Sequence, residues 1–353
     1  MDFDREVDVI LVGGGLGGLA GAVSAASVGL SSVVLEKSGW IGGGASYSGG
    51  LCWVPGVEGD SLQAAHDYIR YAQGERDFDE KLLHGVLEAM SDAVSHYRVC
   101  GIGLEVVPGN PDVYYPKAPG SVDSGRMWEC TQRGKDLGAW RQVVLPTPHY
   151  RIGLRHAELF EAGLSADARD ELFVERERDD LLTMGPGLVG SFASVALVRF
   201  GVECLTDTEV VDLVIEGGRV VGVRSRGPEG DVTWRARQGV LLATGGYGWS
   251  SSARDLEGLP DLVEAGPPSI SGDHLRLAAQ AGAALARAGD PQFSMGAQTL
   301  PTDHHPGTDV PVHLQMFDVM GKPHSIVVNR YGRRFGDESY YVGINQAIRD
   351  WDP

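Results

Sequence analysis

The sequence predicts an α/β protein organised around a parallel β-sheet, and three observations carry that prediction. Residues 7–36 read VDVILVGGGLGGLAGAVSAASVGLSSVVLE: strand, glycine turn, helix and second strand in immediate succession. Residues 238–244, QGVLLAT, form another apolar strand that runs into Gly245-Gly246. Between them, residues 202–236 break into short β-branched runs separated by turn residues.

Each element has its own justification. Val7 to Val12 is a short β-branched run with the composition of a strand buried on both faces. Gly13-x-Gly15-x-x-Gly18 follows at once, then a small-residue helix from Ala20 to Val28 and the strand Val33-Val34-Leu35, ending in Glu36. Strand, glycine turn, helix, strand and acid together form the full dinucleotide-binding context. Gly13 allows the tight turn, Gly15 lets backbone approach a diphosphate, and Gly18 lets the helix pack closely. The diphosphate belongs on the helix N-terminus, and the Glu36 carboxylate is placed to accept from a ribose hydroxyl.

Residues 39–56, GWIGGGASYSGGLCWVPG, form a second Gly/Ser-rich loop, and residues 61–105 read as helical. Residues 107–155 are irregular and rich in Pro, Gly and Tyr, whereas residues 184–200 read as a helix. Strands are expected at 202–205 and 208–215, then at Val220–Ser225 and Asp231–Ala236 around a Gly227-Pro228 turn. Asp273–Ala288 reads as a helix, and 325–335, SIVVNRYGRRF, as a hairpin. The composition shift at Gly289-Asp290-Pro291 predicts a boundary between a domain at 1–289 and another at 290–353.

Composition narrows the function. Asp and Glu number 48 against 30 Lys and Arg, a net charge of −18, which argues against nucleic acid or anionic membrane as partners. No run of 18 apolar residues could span a bilayer, and the acidic start MDFDREVD does not read as a signal peptide. The four cysteines are scattered without CxxC spacing, as in reduced cytoplasmic proteins. The histidines offer no metal-ligand pattern, and the pair His304-His305 reads as a solvated loop.

An ordered set of segments now points to one family. DVILVGGGLGGLAGAVSAASVGLSSVVLEK, GGGASYSGGLCWVP, the stretch GPGLVGSFASVALVRFGVECLTDTEVVDLVIEGGRVVGV, VLLATGGYGW, SGDHLRLAAQAGAAL and PHSIVVNRYGRRFGDESYY span residues 7–348. Together they resemble the fumarate reductase and 3-ketosteroid dehydrogenase group of FAD-dependent oxidoreductases, most of all its ketosteroid Δ1-dehydrogenase branch. The resemblance implies a Rossmann-like FAD-binding domain with a central parallel sheet and a β-hairpin layer, followed by an incomplete α+β cap domain. It implies FAD held by Gly13, Gly15, Leu16, Gly18, Glu36, Lys37, Gly43, Gly44, Ser48, Gly49, Gly50, Val210, Ala243, Thr244, Gly245 and Asp273. A nicotinamide enzyme would instead follow the first βαβ unit with further βα repeats. Attachment is expected to be non-covalent, because residues 39–56 contain no His of the kind that tethers flavin in succinate dehydrogenases.

The same resemblance implies chemistry. Flavin accepts hydride while a tyrosinate-like base takes a proton from the adjacent carbon of a ketone. PDVYYPKAPG with Gly125-Arg126 resembles the steroid branch's tyrosine segment and selects Tyr114, although Lys117 stands where Glu is usual. After Asp337-Glu338, the steroid branch has a tyrosine where fumarate reductases have an arginine; here Tyr340 and Tyr341 follow, and alignment favours Tyr341. Arg333 and Arg334 either supply a positive field for that tyrosine or simply pair with Asp337 and Glu338. Gly44 and Ala45 replace hydroxyl residues, and His274 replaces a glycine. Family members continue past Pro353, so a C-terminally truncated chain is expected. Three readings follow: a ketone or 3-ketosteroid dehydrogenase with an unspecified electron acceptor, a fumarate reductase-like ene-reductase, or an inactive flavoprotein remnant.

Overall fold

Alternation along the first strand decides where everything else packs. In the computed structural model, which describes residues 2–74, 79–159, 165–257, 263–285, 297–315 and 323–338, that strand is β1 (Arg5–Val12). Ile10 and Val12 point to one face of the sheet, where they join Val33, Leu35, Val210, Val223, Trp234 and Leu277. Leu11 points to the other, among Leu19, Ala22 and Val23 with Leu188, Val189 and Phe192. Burial on both faces explains why the strand is a continuous apolar run.

The chain continues through α1 (Leu16–Ser27), β2 (Ser32–Leu35), α2 (Gly43–Tyr47), β3 (Cys52–Trp53), α3 (Leu62–Gln73) and α4 (Glu80–Cys100). Then come β4 (Glu105–Val106), β5 (Met127–Glu129), β6 (Gln132–Arg133), α5 (His156–Leu159), α6 (Ala166–Arg178), β7 (Leu181–Leu182) and α7 (Met184–Ala193). The remaining described elements are β8 (Glu203–Leu205), β9 (Glu209–Glu216), β10 (Arg219–Gly227), β11 (Gly230–Leu242), α8 (Ser251–Glu257), α9 (Asp273–Gln280), β12 (Ala297–His304) and β13 (Pro311–Gln315).

The central sheet runs β8-β2-β1-β11-β10-β9. Its first four strands are parallel, and β10 and β9 return antiparallel. The hairpin strands are therefore part of the main sheet and not a separate layer. β11 unites them: its first half, to Arg235, pairs with β10, and from Trp234 onward it lies beside β1, from Arg5↔Trp234 to Val12↔Leu242. The expectation of two strands at 231–236 and 238–244 gives way to one, and it is not deeply buried at its end, where Leu241 is exposed.

Several boundaries differ for local reasons. The first helix starts at Leu16, directly out of the glycine turn. The helical stretch 61–105 is two helices, because Ser61 caps α3 and Asp79 accepts from the Lys81 and Leu82 N–H groups to start α4. The stretch 184–200 is α7 followed by a π-helical turn over Ser194–Arg199. α9 stops at Gln280, with Gly282 at φ +75° just beyond it. Residues 325–335 form a tight turn closed by one Val328–Arg334 bridge, not two full strands. The helix start expected at Asn345–Ile348 lies outside the described residues. No described helix is long and apolar enough to cross a membrane.

Candidate cofactor site

The carboxyl ends of β1, β2 and β11 open onto a cavity of about 290 Å³ whose lining includes Val12, Leu35 and Ala243. Open α/β sheets place ligands at strand carboxyl ends. Its floor is the glycine turn. Gly13, at φ +109°, hands its N–H to the Leu35 carbonyl at 2.8 Å, and a Cβ there would sit 2.4 Å from the Ala243 carbonyl oxygen. Gly15 differs: a Cβ there would meet only the Gly42 carbonyl, 3.8 Å away. Gly15 is thus bare toward the cavity, while Gly13 is bare because the chain itself fills the space. Gly15 also caps α1 without a side chain and no acidic residue follows in the first turn, so the N-terminal N–H groups stay available to an anion.

The second glycine loop is laid alongside the first. Gly42 N–H donates to the Gly14 carbonyl at 2.9 Å, which brings Gly43, Gly44 and Ala45 of α2 into the cavity wall. Glu36 is buried, and its Oε2 accepts from Gly14 N–H at 2.7 Å while Oε1 accepts from the Ser38 N–H and hydroxyl. The carboxylate expected on a ribose therefore also fastens the turn. Lys37 and Asp273, both in the wall, pair at 2.5 Å, and the Lys37 ammonium also donates to Ser271 Oγ.

Of the residues expected to hold the cofactor, the cavity is lined by Gly13, Gly15, Leu16, Glu36, Lys37, Gly43, Gly44, Val210, Ala243, Thr244, Gly245 and Asp273. Gly18, Ser48, Gly49 and Gly50 lie outside the wall. A Cβ on Gly18 would strike the Gly13 carbonyl at 1.9 Å, so its role is to let the helix begin against the turn. Gly50, at φ +71°, packs on the backbone of Met184. The Ser48 hydroxyl donates to the Ala45 carbonyl, and Gly49 O accepts from His156 Nε2–H at 2.6 Å. Sequence reasoning missed Gly17, Glu209, Gly246, Ser269, Ile270 and Leu277 in the wall; the local signals were Gly17 inside the first glycine motif, Glu209 beside Val210 and Gly246 beside Gly245.

It also misread His305. That side chain is 1 % exposed, its Nδ1 hydrogen-bonds the Tyr47 hydroxyl at 2.9 Å, and its ring stacks on Tyr47. His149 packs edge-on to Tyr47 and donates from Nε2 to the Ala265 carbonyl. Burial, with the nearby imidazoles of His313 and His149, pushes His305 down to about 4. Burial also pushes the Tyr47 phenol above its ordinary range. No histidine occurs within 39–56, yet His149, His156 and His305 converge on that loop in space.

Tyr114 is half exposed, whereas Tyr115 turns inward against Tyr68 and Tyr71 of α3. Tyr114 lies near enough to Tyr150 to help raise its pKa, and the Tyr150 hydroxyl is 3.7 Å from where a Gly49 Cβ would stand. Tyr340 and Tyr341 lie outside the described residues. Arg334 pairs with buried Glu338 at 2.9 Å.

Two features test a dinucleotide against this cavity. Thr244 Oγ1 is buried in the wall without a hydrogen-bond partner, and the Gly15 cradle is open on the cavity side alone. Both fit a phosphate-bearing ligand. The family described as "FAD binding domain" matches residues 8–349. The chain is 30% identical to the 4-oxocyclohexanecarboxylate 2-dehydrogenase of Sinomonas cyclohexanicum, covering 98% of this chain and 61% of the relative. It is also 30% identical to a 3-oxosteroid 1-dehydrogenase of Mycobacterium tuberculosis, covering 95% and 63%. The crystal structure of a 3-ketosteroid Δ1-dehydrogenase from Sterolibacterium denitrificans in complex with 1,4-androstadiene-3,17-dione superposes with a TM-score of 0.76 at 25% identity, over 98% of this chain and 66% of that one. The chain thus spans under two thirds of the length of each.

Proposed function

Because this chain belongs to the FAD-binding domain family, we propose that it is the FAD-binding portion of an oxidoreductase that dehydrogenates adjacent carbons of a cyclic ketone. FAD is the cofactor, bound without a covalent tether, and the isoalloxazine supplies hydride chemistry when present. One observation carries the cofactor reading: a glycine cradle at the head of α1, bare toward the cavity and sterically closed behind it. The residues divide the work. The α1 N–H groups take the diphosphate, Glu36 keeps its remaining lone pairs for a ribose hydroxyl, and Thr244 offers its unpartnered hydroxyl.

The substrate reading rests on Tyr114, which stands half exposed beside Tyr150 and near the loop that follows α2. Two relatives act on cyclic ketones of very different size, a single carboxylated ring and a steroid, so the ketone is the shared chemistry. We assign 1–289 to the cofactor domain and 290–353 to the start of a substrate-facing domain. Tyr341, with Tyr340 beside it, is the proposed base. The four free thiols, three of them buried, support a reducing cytoplasmic setting.

The experiment is Gly15→Val. The chain has room for a Cβ, so the variant should unfold near the wild-type midpoint, while flavin absorbance after reconstitution should vanish. In parallel, the whole oxidoreductase, of which this chain is the FAD-binding portion, should reduce an artificial acceptor with 4-androstene-3,17-dione or 4-oxocyclohexanecarboxylate, while the 353-residue chain alone should show no measurable turnover. Wild-type flavin content in the variant would refute the cradle; an FAD-loaded whole oxidoreductase inert to both ketones would refute the substrate class.

A further inference from the structure

The Tyr114 loop is held by a buried charge cluster that lies outside the cavity wall. Arg126 is 1 % exposed and donates from Nε and Nη2 to both oxygens of Asp60, at 2.9 and 3.0 Å. Its Nη1 donates to Asp112 Oδ2 at 2.8 Å and to the Gly120 carbonyl at 2.9 Å. The other Asp112 oxygen accepts from the indole N–H of Trp53 at 2.7 Å. Asp112 and Val122 close the neck of the loop with two more bonds, Asp112 N–H to Val122 O and Val122 N–H to Asp112 Oδ2. A buried cluster is worth keeping only when its donors and acceptors are matched, as these are.

The cluster has a direction. Trp53 is on β3, the strand into which the α2 loop runs, and Val54 N–H donates to the Arg126 carbonyl at 2.7 Å. Inside the loop, Tyr115 is pinned on α3, and Gly120, at φ +75°, lies where a Cβ would meet the Ala64 carbonyl at 1.9 Å. Neck, floor and inner face are all fixed, and Tyr114 is among the exposed residues of the loop. We infer that Asp112, Arg126 and Trp53 are positioning residues that clasp the Tyr114 loop to the strand leaving the cofactor loop, fixing the Tyr114 hydroxyl relative to the cofactor. This rests on Tyr114 acting in the proposed reaction.

Trp53→Phe tests it, because it keeps a ring in place and removes one N–H from Asp112. Backbone amides across residues 113–122 should exchange about tenfold faster by mass spectrometry, with the FAD dissociation constant within about twofold of wild type. In the whole oxidoreductase with 4-androstene-3,17-dione, kcat should fall at least about tenfold with a smaller change in KM, as expected for a misplaced group. In a Tyr114→Phe background, the same substitution should cost nothing further in kcat. Asp112→Asn is the second variant and should show the same pattern. Unchanged exchange, or a kcat loss that persists in the Tyr114→Phe background, overturns the clasp while leaving the proposed function intact. If the whole oxidoreductase is inactive, or its Tyr114→Phe variant is fully active, the reading of the site fails and the inference falls with it.

Discussion

Gly13 and Gly15 are two residues apart, one closed in by its own chain and the other bare toward the cavity. The glycine spacing made both legible, because each glycine type answers a known steric demand. Glu36 was half legible: its place at the end of β2 marks a ribose acceptor, but its contact with Gly14 N–H depends on how the turn folds back. His305 was not legible at all. It neighbours an exposed His304, and only the return of β12 toward α2 buries it on Tyr47. That burial yields a pH prediction. The folded imidazole titrates near 4, the unfolded one near its ordinary value of 6.5. Between those values the unfolded chain binds a proton that the native chain refuses, so stability falls as pH drops from 6.5 toward 4. Comparing urea midpoints at pH 7 and pH 5, the loss should be on the order of 2 kcal/mol smaller in His305→Asn than in wild type. Equal losses would mean that His305 is solvated.

At the scale of elements, periodicity found the strands but polarity divided one of them. Arg237 and Gln238 interrupt the apolar pattern, so β11 reads as two strands. In the fold, Arg237 reaches Glu6 and Asp8 at the open end of β1, at 2.9 and 2.7 Å, and the strand runs through unbroken. Charge in mid-strand marks a sheet end here, and the cross-strand partners that reveal it are more than two hundred positions away in sequence. β11 is anchored by Trp234, which is 1 % exposed, donates its indole N–H to Ser225 Oγ at 3.0 Å and lies under the Arg5 guanidinium. Trp234→Ala should destabilise the protein by about 3–5 kcal/mol. Because β11 also ends in the cavity wall, FAD should bind more weakly in the same variant. Chemical denaturation and a flavin titration would show whether the two losses go together.

For the whole molecule, composition told most about the field and least about the site. A net charge of −18 repels an anionic cofactor at long range, while the α1 terminus attracts it only within the last few ångströms. Salt screens the first more than the second, so raising NaCl from about 10 to about 150 mM should speed FAD association several-fold. Stopped-flow quenching of flavin fluorescence measures this; slower association would mean that a local positive funnel outweighs the global charge. The sheet order also imposes a timetable. β1 leaves the ribosome with β2 close behind, but its other edge pairs with β11, made roughly 220 residues later. At typical elongation rates of about 5–20 residues per second, that edge stays unpaired for roughly 10–50 s, with two rows of aliphatic side chains uncovered. Nascent chains paused before Gly230 should therefore be bound by chaperones and prone to pair with one another, a hazard that ends when the last parallel strand is translated.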